Sequence, residues 1–298
     1  MQYECKKQTA VFDPAAVPEI TVQSGDEVLF HTLDCYNGRI YAEDQDLTLV
    51  DFSGGNPCAG PVCVKDARRG DTLKVEILSV RPIRQGLVRV PGSCGPLAGL
   101  TAPGTRIYPA DKDSICFNGV PVPFSPMIGT IGCAPEEKIA SLQCGDHGGN
   151  MDCKLIKAGA VLYFPVYVEG ALFQLGDVHA AMGDGELCGT GLEVPAEVAV
   201  RLTLLKGNAP ALPILLSGDK WYVIGHGKNY DEANKKTALV MQKLLMRQYG
   251  FSETEAYMYM SMQADNEICQ GCAPCAVDIV IRLGVPQIAG REFGDSSL

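Results

Sequence analysis

Short apolar stretches that alternate with polar residues, each closed by glycine or proline, run through the first two-thirds of this 298-residue chain. Alternation at period two puts every second side chain on one face of a pleated strand, and the punctuation ends each run before a helical period can develop. Glu19 to Val22, Glu27 to His31, Leu47 to Asp51 and Thr72 to Val80 read as strands on this basis. Val161 to Val168, Leu172 to Ala180, Leu187 to Val194 and Val198 to Leu205 read as four more, in the order of a β meander. Pro165 belongs at an edge or bulge because it has no N–H to give a ladder. Residues 81–135 carry Gly, Pro and short apolar pieces without helical period, and are expected to be long connections and edge strands.

After Pro213 the pattern changes. Ile214 to Leu216, Trp221 to Ile224 and Val277 to Leu283 read as strands, while Asp231 to Tyr249 reads as a helix stopped by Gly250. Ser252 and Glu255 form a capping box for a second helix to about Gln263, whose methionines are expected in a core. The tail after Gly290 is expected to fray. The fold class is therefore mainly β: residues 1–212 form a β portion with the long connection around 81–135, and residues 213–298 form an α+β subdomain packed on it.

A formal charge of -10 with no cluster of Lys and Arg argues against a nucleic acid partner. No apolar run is long enough to span a bilayer, and the first residues lack a signal core, so a cytoplasmic protein is expected. In that compartment the thirteen cysteines are expected to be reduced.

Chemistry concentrates in two stretches. In Gly176-Asp177-Val178-His179-Ala180-Ala181-Met182-Gly183-Asp184-Gly185-Glu186, Asp177 and His179 share one face of a strand. The Gly-Asp-Gly element reads as a hairpin turn that returns Glu186 on the next strand, bringing two or three carboxylates and a histidine together. In Gly145-Asp146-His147-Gly148-Gly149-Asn150-Met151-Asp152, paired glycines allow close backbone approach beside His147, Asn150 and Asp152, all able to bind a metal or an amide. Asp34 precedes an Asn-Gly turn near a strand end, where functional carboxylates are often displayed. Gathering like charges at close range is unfavourable unless a cation or shared protons relieve them.

Cys269, Cys272 and Cys275 are spaced Cys-x-x-Cys-x-x-Cys. Three thiols in a small volume suggest part of an iron–sulfur pattern, or a zinc site completed by His226 or another cysteine, against the reading of reduced structural cysteines. Cys153, next to Asp152, is the candidate for a thiol nucleophile, but no nearby lysine or histidine pattern activates it.

The motifs His147-Gly148-Gly149-Asn150-Met151-Asp152 and Gly176-Asp177-x-His179-Ala180-Ala181-x-Gly183-Asp184-Gly185-Glu186 resemble the acetamidase/formamidase family, as does Asn56-Pro57-x-x-Gly60-Pro61-Val62. Phe164-Pro165-Val166 and Gly170-Ala171-Leu172-Phe173 follow in the family's order, whereas Met182 stands where the family usually has glutamine. The resemblance implies a β-sandwich or jelly-roll portion, a homodimer or higher homo-oligomer, and metal-dependent hydrolysis of short aliphatic amides such as formamide or acetamide to carboxylate and ammonia. On this reading a divalent ion, zinc in the first instance, is held by His179 with Asp34 and His147 or Asp177. Asp152 and Asn150 orient ligands or substrate, and Glu186 is general base and then acid. The competing readings are a non-catalytic metal- or small-ligand-binding protein on the same scaffold, and an iron–sulfur or redox subfamily using Cys269, Cys272 and Cys275.

Overall fold

The computed structural model describes residues 2–110, 113–291 and 293–295. A nine-stranded sheet runs in the order Gln2–Cys5, Asp26–Thr32, Ala196–Leu205, Thr72–Pro82, Val161–Pro165, Ile214–Ser217, Lys220–Gly227, Ile279–Pro286, Asp265–Gln270. Its neighbours are antiparallel except for the first pair. A ten-stranded sheet is built around Phe173–His179, which pairs with Met127–Gly132, Cys58–Val64 and the two-residue strand Glu193–Val194. The two sheets enclose one apolar core, in which Phe30 and Phe164 of the first meet Phe173 of the second at ring-centroid distances of 5.7 and 6.3 Å. The fold is thus mainly β and sandwich-like, as the sequence suggests.

The expected meander is not formed. Val161–Pro165 lies in the nine-stranded sheet, Phe173–His179 in the other, and Ala196–Leu205 back in the first. Pro165 is the last residue paired to Thr72–Pro82, and the chain then turns through Ala171 and Leu172, both at positive φ, to cross between sheets. Leu187 to Leu192 is loop rather than strand. Its backbone is held by other partners: Gly189 N donates to Glu186 O, and the Thr190 side chain bridges the N–H and C=O of Arg89. The expected Glu186 hairpin therefore does not exist, because only Glu193 and Val194 are free to pair with the strand carrying His179.

Residues 81–135 hold more order than expected. Gln85–Val90 and Gly104–Pro109 pair, Ser114–Phe117 and Val120–Pro123 form a hairpin, and Met127–Gly132 is a fully buried inner strand. With both faces covered, that strand has no alternation to read. Leu47 to Asp51 is a short 3-10 turn at Leu47–Leu49, started by the Asp46 side chain accepting from Thr48 N.

Helix α1 (Tyr230–Tyr249) is capped by Asn229 and ended by Gly250 at φ 72°. Helix α2 (Glu253–Gln263) carries the expected Ser252 and Glu255 capping box. Both cover one face of the sheet: Trp221, Val223, Leu283 and Val285 face the helices, while Tyr222, Ile224 and Val280 face the main core. This second apolar cluster draws on both sides of position 212, since Tyr163 and Leu212 belong to it and Ile214–Ser217 continues the sheet beside Val161–Pro165. In α2 only Ala256 and Met260 are buried, whereas Tyr257, Met258 and Met262 are exposed. The tail is tied down through Phe293, buried against Trp221 and Tyr249, and Asp295, which accepts from the Tyr163 hydroxyl at 2.9 Å. Its last three residues lie outside those described. No helix among the described residues is long and apolar enough to cross a membrane.

Candidate active site

A cavity of about 180 Å³ opens where the ten-stranded sheet meets the end of the Asp265–Gln270 strand. Asn56, Asn150, Asp152, Asp177, Glu186, Glu193 and Gln270 line it. Its volume is below the roughly 300 Å³ at which sites for drug-sized ligands begin, which suits a substrate of a few heavy atoms.

Asp177 and His179 lie on the Phe173–His179 strand, and the Nε2 of His179 faces Asp177 Oδ1 at 3.5 Å. The same nitrogen faces Glu193 Oε1 at 3.1 Å and Glu186 Oε1 at 3.8 Å, yet is aligned for a hydrogen bond with none of them. Met182 brings its Sδ to 3.3 Å from His179 Nδ1.

A polar chain fixes the carboxylates. Asn56 Nδ2 donates to Asp177 Oδ2 at 2.8 Å and to Asn150 Oδ1 at 3.0 Å, and Thr130 Oγ donates to Asn150 Oδ1 at 2.7 Å. Gln270 Nε2 donates to Asp152 Oδ2 at 2.8 Å and makes a short bond to Glu186 Oε2. Asn56, Asp152, Asp177 and Glu186 all have left-handed backbones, with φ of 50°, 44°, 55° and 42°. Such conformations cost about 1–3 kcal/mol each for residues with a Cβ and persist where surrounding structure holds them, often at functional sites. Gly129 lies behind the pair: a Cβ there would stand 2.5 Å from Asp152 Oδ1 and 2.7 Å from Asp177 Oδ2.

The electrostatics follow from burial. Burial, reinforced by Asp177, pushes the Asp152 carboxyl up to about 7. Burial and then Asp152 push Glu186 well above the usual carboxylate range, and burial also raises Glu193. Burial alone would lower His179, but the carboxylates of Glu193 and Asp177 overcome it and hold the imidazole well above its ordinary value.

Of the residues singled out in the sequence, Asn150, Asp152, Asp177, His179 and Glu186 come together. Asp34 and His147 do not join any set of three ligand atoms within 4.8 Å among the described residues. The Asp34 carboxylate accepts from Tyr36 N and Gly38 N, closing the Asn-Gly turn. His147 is buried edge-on against Phe12, and burial lowers its pKa to about 4. Asp184 points away from the cavity to a bidentate bond with the buried Arg282, at 2.7 and 2.8 Å. Cys153 is fully buried beside Cys269 and Arg282 and does not line the cavity. His226 lies between Asp146 and Asp278 rather than with the cysteines.

Sequence reasoning gave no role to Glu193, Gln270, Thr130 or Asn56. Asn56 opens the Asn56-Pro57-x-x-Gly60-Pro61-Val62 motif. Glu193 and Gln270 enter by tertiary pairing alone, one opposite His179 and the other at the end of a strand that residues 265–270 did not advertise.

The donors fit a divalent cation. Asp152, His179 and Glu186 offer ligand atoms within 4.8 Å of one another, as do Cys35, Asp177 and Glu193. Asp152 Oδ1, His179 Nε2 and Glu193 Oε2 are buried without a hydrogen-bond partner, an arrangement that costs free energy unless something charged completes it. Hard oxygens around one imidazole suit zinc and several other divalent ions.

Fold and site together define a β-sandwich enzyme with a buried carboxylate–histidine centre. The model of the acetamidase/formamidase family matches residues 3–143 and 141–286. The chain belongs to that family. It is similar in structure to an acetamidase from Bacillus halodurans, with a TM-score of 0.90, 36% identity, and coverage of 95% of this chain and 97% of that one. A predicted acetamidase/formamidase from Thermoanaerobacter tengcongensis superposes with a TM-score of 0.91 at 32% identity, covering 96% of each chain. The formamidase of Methylophilus methylotrophus is 26% identical over 72% of this chain and 70% of its own length.

Proposed function

We propose that this amidase is a metal-dependent hydrolase of short aliphatic amides, releasing a carboxylate and ammonia. The observation that carries the reading is the convergence of Asp152, Asp177, Glu186 and Glu193 on one small cavity, with His179 Nε2 within 3.8 Å of three of these carboxylates and buried atoms of Asp152, His179 and Glu193 unpaired. Asp152, Asp177, His179 and Glu193 are the residues that would hold the ion. A bound ion of zinc type would polarise the amide carbonyl and supply activated water.

The chain's own groups do the rest. Glu186 is held through Oε2 by Gln270, which leaves Oε1 towards His179 and the cavity. It takes a proton from the attacking water and returns it to the amide nitrogen, a double role that suits a carboxyl raised by burial. Asn150, with Oδ1 engaged by Asn56 and Thr130, keeps Nδ2 as a donor for the substrate oxygen. The same Asn56 bond fixes Asp177. Exposed Tyr257, Met258 and Met262 on α2 support a homo-oligomer.

Ammonia release from formamide, acetamide, propionamide and benzamide tests the substrate class. The two smallest amides are expected to give the highest kcat/KM and benzamide none. A preference for benzamide, or no ammonia from any of the four, would remove the reading.

A further inference from the structure

Three cysteines from two distant segments meet at the mouth of the cavity. The Sγ atoms of Cys94, Cys272 and Cys275 lie within 4.8 Å of one another. The segments are already bound together by their backbones, since Gly95 N donates to Cys272 O at 2.6 Å and the Cys94 thiol points to the same oxygen at 3.4 Å. Gly189 closes over them from a third segment, where a Cβ would stand 2.7 Å from Cys94 Sγ. Cys269, first of the Cys-x-x-Cys-x-x-Cys run, does not join. It is fully buried and accepts from Arg282 Nη1 at 3.6 Å.

We propose that Cys94, Cys272 and Cys275 bind a single thiophilic divalent cation of zinc type, separate from the carboxylate–histidine centre. The spacing decides between ion and cluster. Zn–S bonds of about 2.3 Å at tetrahedral angles put sulfurs about 3.8 Å apart, inside the 4.8 Å that contains the trio. An iron–sulfur cube sets each cysteine on a different iron and holds the sulfurs further apart, so it fits less well. Binding releases three thiol protons to solvent, leaving three thiolates on one cation and a fourth position open to the cavity.

The ion ties two loops into the wall of the active site. Cys272 N donates to Gln270 Oε1 at 3.0 Å, and Gln270 holds both Asp152 and Glu186. Clamping Cys272 therefore positions Gln270, which makes the thiol site a positioning device rather than a reacting one.

The test is cobalt titration of the full chain, stripped of metal and kept reduced with a phosphine under argon. Sulfur-to-cobalt charge-transfer absorption is expected to saturate by two equivalents, with the carboxylate–histidine centre taking the other ion, at an intensity of one thiolate-bound cobalt per chain, and to fall on adding zinc. Cys94→Ser and Cys275→Ser are expected to lose the band, while Cys269→Ser and Cys35→Ser keep it. The Cys35 variant separates this site from the other centre, where Cys35 is grouped with Asp177 and Glu193. The proposal is overturned by the absence of a charge-transfer band in the folded, reduced parent protein, by an undiminished band in Cys94→Ser, or by a disulfide among the three cysteines in anaerobically prepared protein. The parent measurement stands even if a serine variant fails to fold.

Discussion

The Nε2 of His179 lies 3.1 Å from Oε1 of Glu193, its partner across the antiparallel ladder. Gly191 N donates to that same carboxylate oxygen at 2.9 Å, so Glu193 is fixed before any ligand arrives. Glu193→Gln keeps the shape and removes the charge. Metal affinity is expected to fall by at least about 10–100-fold, the loss seen on disturbing even the groups that only support a metal ligand. Competition with a chromophoric chelator measures it, and unchanged affinity would exclude Glu193 from the centre.

Glu186→Gln preserves the Gln270 contact on one side and removes the proton carrier. Loss of general acid–base catalysis typically lowers turnover about 10²–10⁴-fold. The fall is expected in kcat, with bound metal retained. Full turnover in a metal-loaded variant would reassign the base.

Gly129→Ala inserts a methyl against Asp152 Oδ1 and Asp177 Oδ2, both within 2.7 Å of the new atom. Neither carboxylate can retreat easily, since Gln270 holds one and Asn56 the other. Activity is expected to be lost, with a stability cost of about 1–3 kcal/mol as for other overpacked interiors. Chemical denaturation beside an ammonia assay reads both effects, and a variant with parental activity would contradict the geometry.

Asp184 anchors the loop that carries Glu186 through its two bonds to Arg282. Burial would raise its carboxyl, but Arg282 and Lys154 overcome this and hold it below the ordinary 3.8. A folded-state pKa below the unfolded one contributes stability that is present above the unfolded value and lost as pH falls through the folded value. Asp184→Asn is therefore expected to destabilise the protein at pH 7 by about 1.5–3 kcal/mol, the worth of hydrogen bonds to a charged group. The gap from the parent protein closes in acid below the carboxyl's folded value. A gap independent of pH would show that charge is not what Asp184 supplies.

Much of the site was legible in the chain because glycine marks it. Gly148-Gly149 and the glycines around Asp177 and Asp184 announced close approach, and five of the seven residues singled out for chemistry converge. Asp34 and His147 share the same local signatures, but their side chains serve a turn and an aromatic contact. The Gly183-Asp184-Gly185 element looked like a hairpin because hairpin turns and anchored loops use the same residues. Only the bond to Arg282, 98 positions away, tells them apart. Strand period revealed edges and half-buried strands well, and failed for Met127–Gly132, where both faces are buried. Cys94 had no motif of its own and gains meaning only beside Cys272, 178 positions later.

Metal removal tests the central claim most directly. It is best done in Cys94→Ser, so that the thiol site does not compete for the ion. The variant is stripped by chelation, its metal content is checked by elemental analysis, and acetamide and formamide hydrolysis are measured before and after one equivalent of Zn2+ is added. The account predicts that ammonia release disappears with the metal and returns on reconstitution, and that His179→Ala cannot be restored at the same zinc concentration. Undiminished turnover by metal-free protein would contradict it.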